Sequence, residues 1–126
     1  MVMIVDDDPD DLALYRDLLT DIDPSIEIKT FLYASDALSS LRIQSHPDLI
    51  ILDLNMPKMS GLDFLRHVRA DLTLKDLQVA VITTGCTNSD TQAVLDLKSP
   101  CLRKQSRFSD FKTLLTRLLK RVPQAH

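Results

Sequence analysis

Five short apolar runs recur along the chain, separated by longer segments in which apolar residues return every three or four positions. The runs are VMIV at 2–5, IEIKTF at 26–31, DLIIL at 48–52, VAVI at 79–82 and the weaker PCLR at 100–103. Short apolar runs bounded by polar residues predict buried strands, and the wider spacing predicts amphipathic helices. The pattern therefore predicts strand and helix in strict alternation.

Each predicted helix is defined by apolar positions that share one face. These positions are Leu12, Tyr15, Leu19 and Ile22; Ala37, Leu38 and Leu41; Leu62, Leu65, Val68 and Leu72; and Phe108, Phe111, Leu115, Leu118 and Val122. The fourth helix, at 89–97, has the thinnest pattern. In the last helix we expect Phe108 in the core, with Leu114 and Leu119 on the flanks as candidate partner contacts. Alternating elements with apolar central strands predict an α/β fold, a parallel sheet covered by helices on both faces.

Length and composition predict the number of domains and exclude some classes of partner. The 126 residues predict one domain, which we place at 1–122 with a short tail at 123–126. Fifteen basic and 18 acidic residues give a net charge of -3, which argues against nucleic acid and anionic membranes as partners. With no basic-flanked leader and no apolar run near the ~18 residues of a membrane span, we expect a cytoplasmic protein. Cys86 and Cys101 form no CxxC or Cys/His motif, which predicts reduced thiols.

The segment VDDDPDD at 5–11 gathers five acids directly after the first strand. Pro9 suits the first position of a helix, and an acid before it suits the N-cap. Acids in the first turn also face the positive end of the helix dipole, which stabilises a helix by about 0.3–1 kcal/mol each. The helix start thus accounts for Asp8, Asp10 and Asp11. It leaves Asp6 and Asp7, at the end of the strand, without a structural explanation.

Residues that directly follow the strands of a parallel α/β sheet meet at one edge, where such folds bind ligands. A cluster of like-charged carboxylates there disfavours ionisation unless a cation is present, and magnesium binds one or two carboxylates together with phosphate oxygens. A lysine and a hydroxyl at the same edge would contact phosphoryl oxygens, and a carboxylate would accept the group as an aspartyl phosphate. We take Asp53 as the candidate acceptor. The strand-end residues are Asp6, Asp7, Asp53, Thr83, Thr84 and Lys104.

The segment DLIILDLNMPKMSGLDFLRHVR at 48–69 resembles the phosphoacceptor segment of bacterial response-regulator receiver domains, the CheY-like superfamily. The resemblance extends over nearly the whole chain, and the ordered set of motifs is far more specific than any one of them. The resemblance implies that Asp6 and Asp7 are the metal-binding pair, that Asp53 is the phosphorylated aspartate and a further metal ligand, and that the Asn55 backbone carbonyl completes the metal shell. It implies that Pro57 and Gly61 shape the loop that follows. It also implies that Thr83 provides the switch hydroxyl, that Thr84 occupies a position that influences dephosphorylation, and that Lys104 is the phosphoryl-contacting lysine.

The same resemblance implies a flavodoxin-like (βα)5 three-layer sandwich with a central five-stranded parallel sheet in the order 2-1-3-4-5. It implies a stand-alone signalling domain rather than an enzyme, apart from slow autodephosphorylation. The phosphoryl group would come from a sensor histidine kinase or a histidine phosphotransfer protein, with Mg²⁺ or Mn²⁺ as cofactor. The output would pass to an unknown downstream protein, and homodimerisation through the last helices is left open.

Departures from the family gather near the last strand. Cys101 stands where the family usually has Tyr or Phe, and Gln105 stands where a proline in a cis peptide usually follows the lysine. A cis peptide without proline costs about 3 kcal/mol. The chain also runs from Thr83 to Lys104 in one residue fewer than the family pattern suggests. We therefore expect intact phosphoacceptance and an altered output.

The residues are also compatible with two alternative functions. The chain could be a receiver-like interaction module that no longer switches, a hypothesis motivated by Cys101 and Gln105. It could also be a magnesium-dependent phosphatase of the haloacid dehalogenase type, because IILDLN resembles an aspartate-nucleophile strand end. Those enzymes need a second aspartate two residues on, where this chain has Asn55, so the phosphatase is the weaker alternative.

Overall fold

The computed structural model describes residues 1–43 and 46–121. Over these residues five strands and five helices alternate, as predicted. Val122, the predicted tail at 123–126 and its His126 lie outside the described residues, so the boundary at 122 stays a prediction. The elements are β1 (Val2–Val5), α1 (Pro9–Ile22), β2 (Ile28–Phe31), α2 (Ala34–Ile43), β3 (Leu49–Leu52), α3 (Gly61–Ala70), β4 (Val79–Thr83), α4 (Asn88–Asp96), β5 (Cys101–Arg103) and α5 (Phe108–Lys120).

The strands form one parallel sheet in the order β2-β1-β3-β4-β5. This confirms the predicted flavodoxin-like (βα)5 sandwich with strand order 2-1-3-4-5. From β1 the chain first adds β2 on one side and then crosses to add β3 on the other, so the carboxyl ends of β1 and β3 flank the topological switch point. The fold thus places a binding cleft directly after Val5 and Leu52.

Apolar side chains cover both faces of the sheet. Because successive strand residues point to opposite faces, Met3 and Val5 join the core cluster beneath α2, α3 and α4, whereas Val2 and Ile4 join the cluster beneath α1 and α5. Burial on both faces explains why the central strands are continuous apolar runs rather than alternating ones. The site residues therefore project from a rigid platform.

Strand β2 is shorter than predicted, because it begins at Ile28 rather than at residue 26. Its ladder partner β1 begins at Val2, which pairs with Ile28, so no neighbouring strand extends far enough to pair the residues before it. Its edge position also leaves all four residues only partly buried.

Helix α3 ends at Ala70, so the prediction that Leu72 continues its apolar face was wrong. The Asp71 carboxylate accepts a hydrogen bond from the Thr73 backbone N–H at 2.8 Å. Such a side-chain bond offers the backbone an alternative to another helical turn. Leu72 is consequently 84% exposed.

Helix α5 lies against α1, and the core prediction for it was wrong at one position. Phe108 is 69% exposed, because it is the first helical residue and helix side chains tilt toward the N-terminus, away from the packed turns. Leu114 and Leu119, expected to be exposed contacts, are partly buried against the core instead. The positions predicted correctly as core are Phe111, Leu115 and Leu118. Within the described part of the chain, no helix is long and apolar enough to cross a membrane.

Candidate functional site

The acid run divides between the end of β1 and the start of α1, as predicted for Asp6, Asp7 and Asp8. Helix α1 begins at Pro9, and the Asp8 carboxylate caps it by accepting a hydrogen bond from the Asp10 backbone N–H at 2.9 Å. Asp8 therefore serves the helix, as predicted. Asp6 and Asp7 precede the cap at the end of β1 and face the cleft.

Three carboxylates meet at the switch point. Val5 and Leu52 are register partners, so the residues that follow them lie side by side, and the Asp53 backbone N–H donates to the Val5 carbonyl at 3.0 Å. Asp6, Asp7 and Asp53 each offer one carboxylate oxygen, and these oxygens all lie within 4.8 Å of one another. Asp6 is 2% exposed and Asp53 is 7% exposed, whereas Asp7 lies at the surface. Of the three acids, only Asp7 is therefore exposed to solvent.

Lys104 enters this cluster from the end of β5. Its backbone N–H donates to the Thr83 carbonyl at 3.1 Å, which continues the β4–β5 ladder by one residue. Its Nζ lies 2.9 Å from Asp6 Oδ2, 2.6 Å from Asp11 Oδ2 and 3.7 Å from Asp53 Oδ2. Burial alone would lower the pKa of Lys104, but the hydrogen bonds to Asp11 and Asp6 outweigh it and raise that pKa above its ordinary value. The ammonium is therefore a fixed positive charge.

Gln105 does not displace that lysine. No cis peptide occurs between residues 1 and 43 or between 46 and 121, so Lys104 reaches the cleft on an ordinary trans backbone. The Gln105 side-chain amide donates to the Arg103 carbonyl at 3.0 Å, and the residue lines the cleft.

Asp11 belongs to the site although the sequence explained it only as a helix-start acid. It lies in the first turn of α1 and forms the shortest of the three Lys104 contacts. The only signal for it was its position in the first turn of a helix that begins just after β1, beside the cleft. Its oxygen and the Asp6 oxygen hold the lysine between them.

The pKa of Asp6 is raised by its burial, which the Lys104 hydrogen bond and the Asp8 backbone N–H, donating to Asp6 Oδ1 at 3.0 Å, oppose. The neighbouring Asp53 charge adds to the rise. A buried carboxylate beside another carboxylate is stabilised by added positive charge. The donor set consists of oxygen atoms and is reached by water at Asp7, so it fits a hard divalent cation such as Mg²⁺ or Mn²⁺ better than a soft one.

The two oxygens of Asp53 have different surroundings. Oδ1 accepts a hydrogen bond from the Thr83 hydroxyl at 2.9 Å and a longer one from the Asn55 backbone N–H at 3.4 Å. Among the described residues, Oδ2 contacts only the Lys104 ammonium, at 3.7 Å, and it receives no hydrogen bond. One oxygen is thus held in place, and the other is the freer to react.

Asn55 and Thr84 form the rim of the cleft. The Asn55 side-chain amide donates to the Thr84 carbonyl at 3.2 Å and approaches the Thr83 hydroxyl at 3.4 Å. Both rim residues are exposed. The Asn55 amide therefore ties the end of β3 to the end of β4 across the cleft.

Gly61 is required where α3 begins. Its backbone N–H donates to the Leu54 carbonyl at 3.0 Å, and an added Cβ would lie 2.0 Å from the Asp53 carbonyl oxygen. Only glycine lets the helix approach the backbone of the candidate acceptor so closely. Pro57, the other predicted loop residue, is exposed between β3 and α3 and makes no comparable contact within the described residues.

Cys101 lies away from the cleft. It pairs with Val81 in the sheet, is half-buried, and its Sγ lies 3.7 Å from Cys86 Sγ. Both thiols are free, as expected, but their proximity was not predicted because no short-range motif joins them.

The model of the response regulator receiver domain family matches residues 2–116 of the chain. The polar-differentiation response regulator DivK of Brucella ovis is 31% identical over 94 residues, which cover 74% of this chain and 73% of DivK. The crystal structure of the phosphorylated cyanobacterial phytochrome response regulator RcpA superposes with a TM-score of 0.86 at 28% identity, over 94% of this chain and 90% of RcpA.

A protein-glutamate methylesterase/protein-glutamine glutaminase of Leptospira interrogans is 36% identical over 96 residues, which cover 71% of this chain but only 26% of that enzyme. The chain thus spans about a quarter of the enzyme's length, and the activity in its name is not carried over. The family match over most of the chain, the fold and the acidic cleft agree with one another. The chain belongs to the response-regulator receiver domains of two-component signalling systems.

Proposed function

We propose that this receiver domain accepts a phosphoryl group on Asp53. The proposal rests on the different surroundings of the two oxygens of that carboxylate. Thr83 and the Asn55 backbone hold Oδ1, while Oδ2 faces a cleft that contains a fixed ammonium. A positioned nucleophile beside a positive charge is what phosphoryl transfer requires.

In the proposed reaction, Asp53 Oδ2 forms a bond to phosphorus while the P–N bond of a phosphohistidine donor breaks. The electron pair of that bond returns to the imidazole of a sensor histidine kinase or a histidine phosphotransfer protein. Lys104 stands within 3.7 Å of the attacking oxygen and would donate to a phosphoryl oxygen. The Thr83 hydroxyl would exchange its bond to Oδ1 for one to the same group, and Thr84 at the rim would limit the approach of water.

Asp6, Asp7, Asp53 and the Asn55 backbone carbonyl would hold Mg²⁺, or Mn²⁺ in its place. When bound, the cation neutralises the negative charge of the phosphoryl group and the carboxylates. Asp11 would keep the Lys104 ammonium beside the cleft when a cation or a phosphoryl group adds its charge there.

The proposed output is a surface for a separate protein, and the proposed location is the cytoplasm. Neither nucleic acid nor a membrane is part of the proposal, in keeping with the net charge of -3. In this family an aromatic ring usually turns inward when the switch hydroxyl moves toward the phosphoryl group. Cys101 stands at the position of that ring here, so the Thr83 hydroxyl would move without it. We therefore expect the shape change to travel mainly through the β4–α4 loop, residues 84–87.

The test is intact-mass measurement after incubation with acetyl phosphate and magnesium. The wild type is expected to gain one phosphoryl group only when magnesium is present, and Asp53→Asn to gain none. Asp63→Asn is the matched control, because Asp63 is an exposed acid on α3 that pairs with Arg66 outside the cleft. It should be phosphorylated like the wild type.

Equal incorporation by wild type and Asp53→Asn would overturn the assignment of the acceptor. Incorporation that leaves the affinity for a cognate partner unchanged would instead favour the interaction module that no longer switches. Steady hydrolysis of phosphomonoesters would revive the phosphatase alternative, which the family match does not favour.

A further inference from the structure

The two cysteines form a pair that the phosphoryl chemistry does not use. Cys86 lies in the β4–α4 loop, and Cys101 is the first residue of β5. Although 15 positions apart in sequence, their sulfur atoms are 3.7 Å apart, and both side chains are half-buried beside the core cluster beneath α2, α3 and α4. The β4–α4 loop thus places one thiol beside the other.

The geometry is close to that of a cross-link. A disulfide bond is about 2.05 Å long, so the sulfurs need to approach by roughly 1.6 Å. Cys101 is fixed by its ladder pairing with Val81, whereas Cys86 follows Gly85, a residue at φ 58° with nothing within 4 Å of its Cβ position. The loop has the space to supply the movement.

The two thiols differ in character. Hydrogen bonding with the Thr91 hydroxyl, at 3.3 Å, and with the Cys101 thiol lowers the pKa of Cys86, although the nearby Asp90 charge acts in the opposite direction. Burial and the adjacent Cys86 raise the pKa of Cys101. Because the thiolate is the nucleophile, Cys86 is the thiol that an oxidant would modify first. Cys101 is then the thiol that attacks the oxidised Cys86.

We propose that Cys86 and Cys101 form a reversible intramolecular disulfide when the protein meets hydrogen peroxide. The Cys86 thiolate attacks one peroxide oxygen, an S–O bond forms, the O–O bond breaks, and the departing hydroxide takes a proton to become water. Cys101 then attacks the sulfenic sulfur, an S–S bond forms, the S–O bond breaks, and a second water leaves. Two thiols and one peroxide thus give one disulfide and two waters.

The cross-link would join β5 to the β4–α4 loop, which directly follows Thr83 and contains Thr84. Oxidation would restrain the segment through which we expect phosphorylation to be transmitted, without touching the acidic cleft. The modification site stands independently of the proposed phosphoacceptance, since none of the carboxylate and ammonium groups around Asp53 takes part in it.

The experiment exposes the whole chain to hydrogen peroxide, blocks remaining thiols by alkylation, and digests it with trypsin without reductant. Cleavage after Lys75, Lys98 and Arg103 separates the cysteines onto peptides 76–98 and 99–103. We expect these two peptides to remain joined, with a mass lower by two hydrogen atoms than their sum, and no cross-link between separate chains. A thiol reductant should separate them.

Single variants distinguish the two roles. Cys101→Ser should leave Cys86 as a sulfenic acid that a dimedone reagent traps, whereas Cys86→Ser should give little trapped product at Cys101. Asp53→Asn should form the cross-link as the wild type does, so failure here is separable from failure of the acceptor assignment. Full alkylation of both thiols after peroxide, or cross-links only between separate chains, would overturn the proposal.

Discussion

The acidic cleft and the cysteine pair both use residues that follow strands of the sheet, yet they are built differently. The cleft collects charged groups from the ends of β1, β3 and β5, and each group is fixed by a strand register. The cysteine pair joins one strand residue to one residue of a loop. The cleft is therefore rigid and charge-dependent, whereas the cysteine pair depends on a loop with room to move.

The largest effect is expected from Gly61→Ala, which tests the rigidity of the cleft. The new Cβ would lie 2.0 Å from the Asp53 carbonyl oxygen and 2.7 Å from Leu54 Cα, both backbone atoms that cannot rotate away. We expect a loss of about 3 kcal/mol in the free energy of unfolding, measured by urea denaturation.

Gly85→Ala is the matched control in the loop. Its φ of 58° costs a non-glycine residue about 1 kcal/mol, but its Cβ would meet nothing. Equal losses for the two variants would contradict the contrast between a rigid cleft and a loop with space.

Lys104→Met tests the charge balance of the cleft. It would leave the buried Asp6 carboxylate without its cation, which typically costs about 3 kcal/mol. We expect this loss in urea denaturation with a metal chelator present, and we expect magnesium to recover part of it. Lys112→Met, which breaks an exposed ion pair with Asp21, should cost at most about 1 kcal/mol. If both variants lost the same small amount, Lys104 would be a surface charge.

Magnesium itself should stabilise the wild type, because it binds the folded cleft. At ten times its dissociation constant the gain is about 1.4 kcal/mol, seen as a rise in the melting temperature. Asp7→Asn should abolish most of that rise, whereas Asp10→Asn, an exposed acid of the same run in the first turn of α1, should keep it. A melting temperature indifferent to magnesium in the wild type would contradict the metal assignment.

The smallest effect is expected from Cys101→Ala. The half-buried thiol packs beside the core, and its loss should cost about 1 kcal/mol in thermal unfolding. Phosphoryl incorporation at the cleft should stay at the wild-type level, since the Cys101 side chain packs beside the core and does not line the cleft. A large fall in incorporation would show that the two regions are coupled even without oxidation.

The cleft could largely be predicted from the sequence, because its residues follow directly from the strand ends. The positions of the strand ends follow from the apolar runs, and the carboxyl ends of parallel strands meet at one edge of the sheet, so the convergence of Asp6, Asp53 and Lys104 was predictable. Asp11 was missed because a helix-start role already explained it, and its contact with Lys104 depends on where the chain places α1 beside β5.

The cysteine pair could not be predicted in that way. The position of Cys86 depends on the path of a loop that turns at Gly85, and no periodic pattern describes such a path. The exposure of Leu72 was missed for a related reason, because the Asp71 carboxylate accepts a hydrogen bond from the Thr73 backbone N–H and ends α3 against its apolar pattern.

The central claim is that Asp53 carries the phosphoryl group, and the most direct measurement locates that group chemically. Borohydride reduces an acyl phosphate to an alcohol and would convert the phosphorylated aspartate into homoserine. After treatment with acetyl phosphate and magnesium, fragmentation of the tryptic peptide at 43–58 should place homoserine at position 53 and leave Asp48 unchanged. Homoserine at position 48, or at position 6 or 7 in the tryptic peptide at 1–16, instead of position 53 would contradict the account.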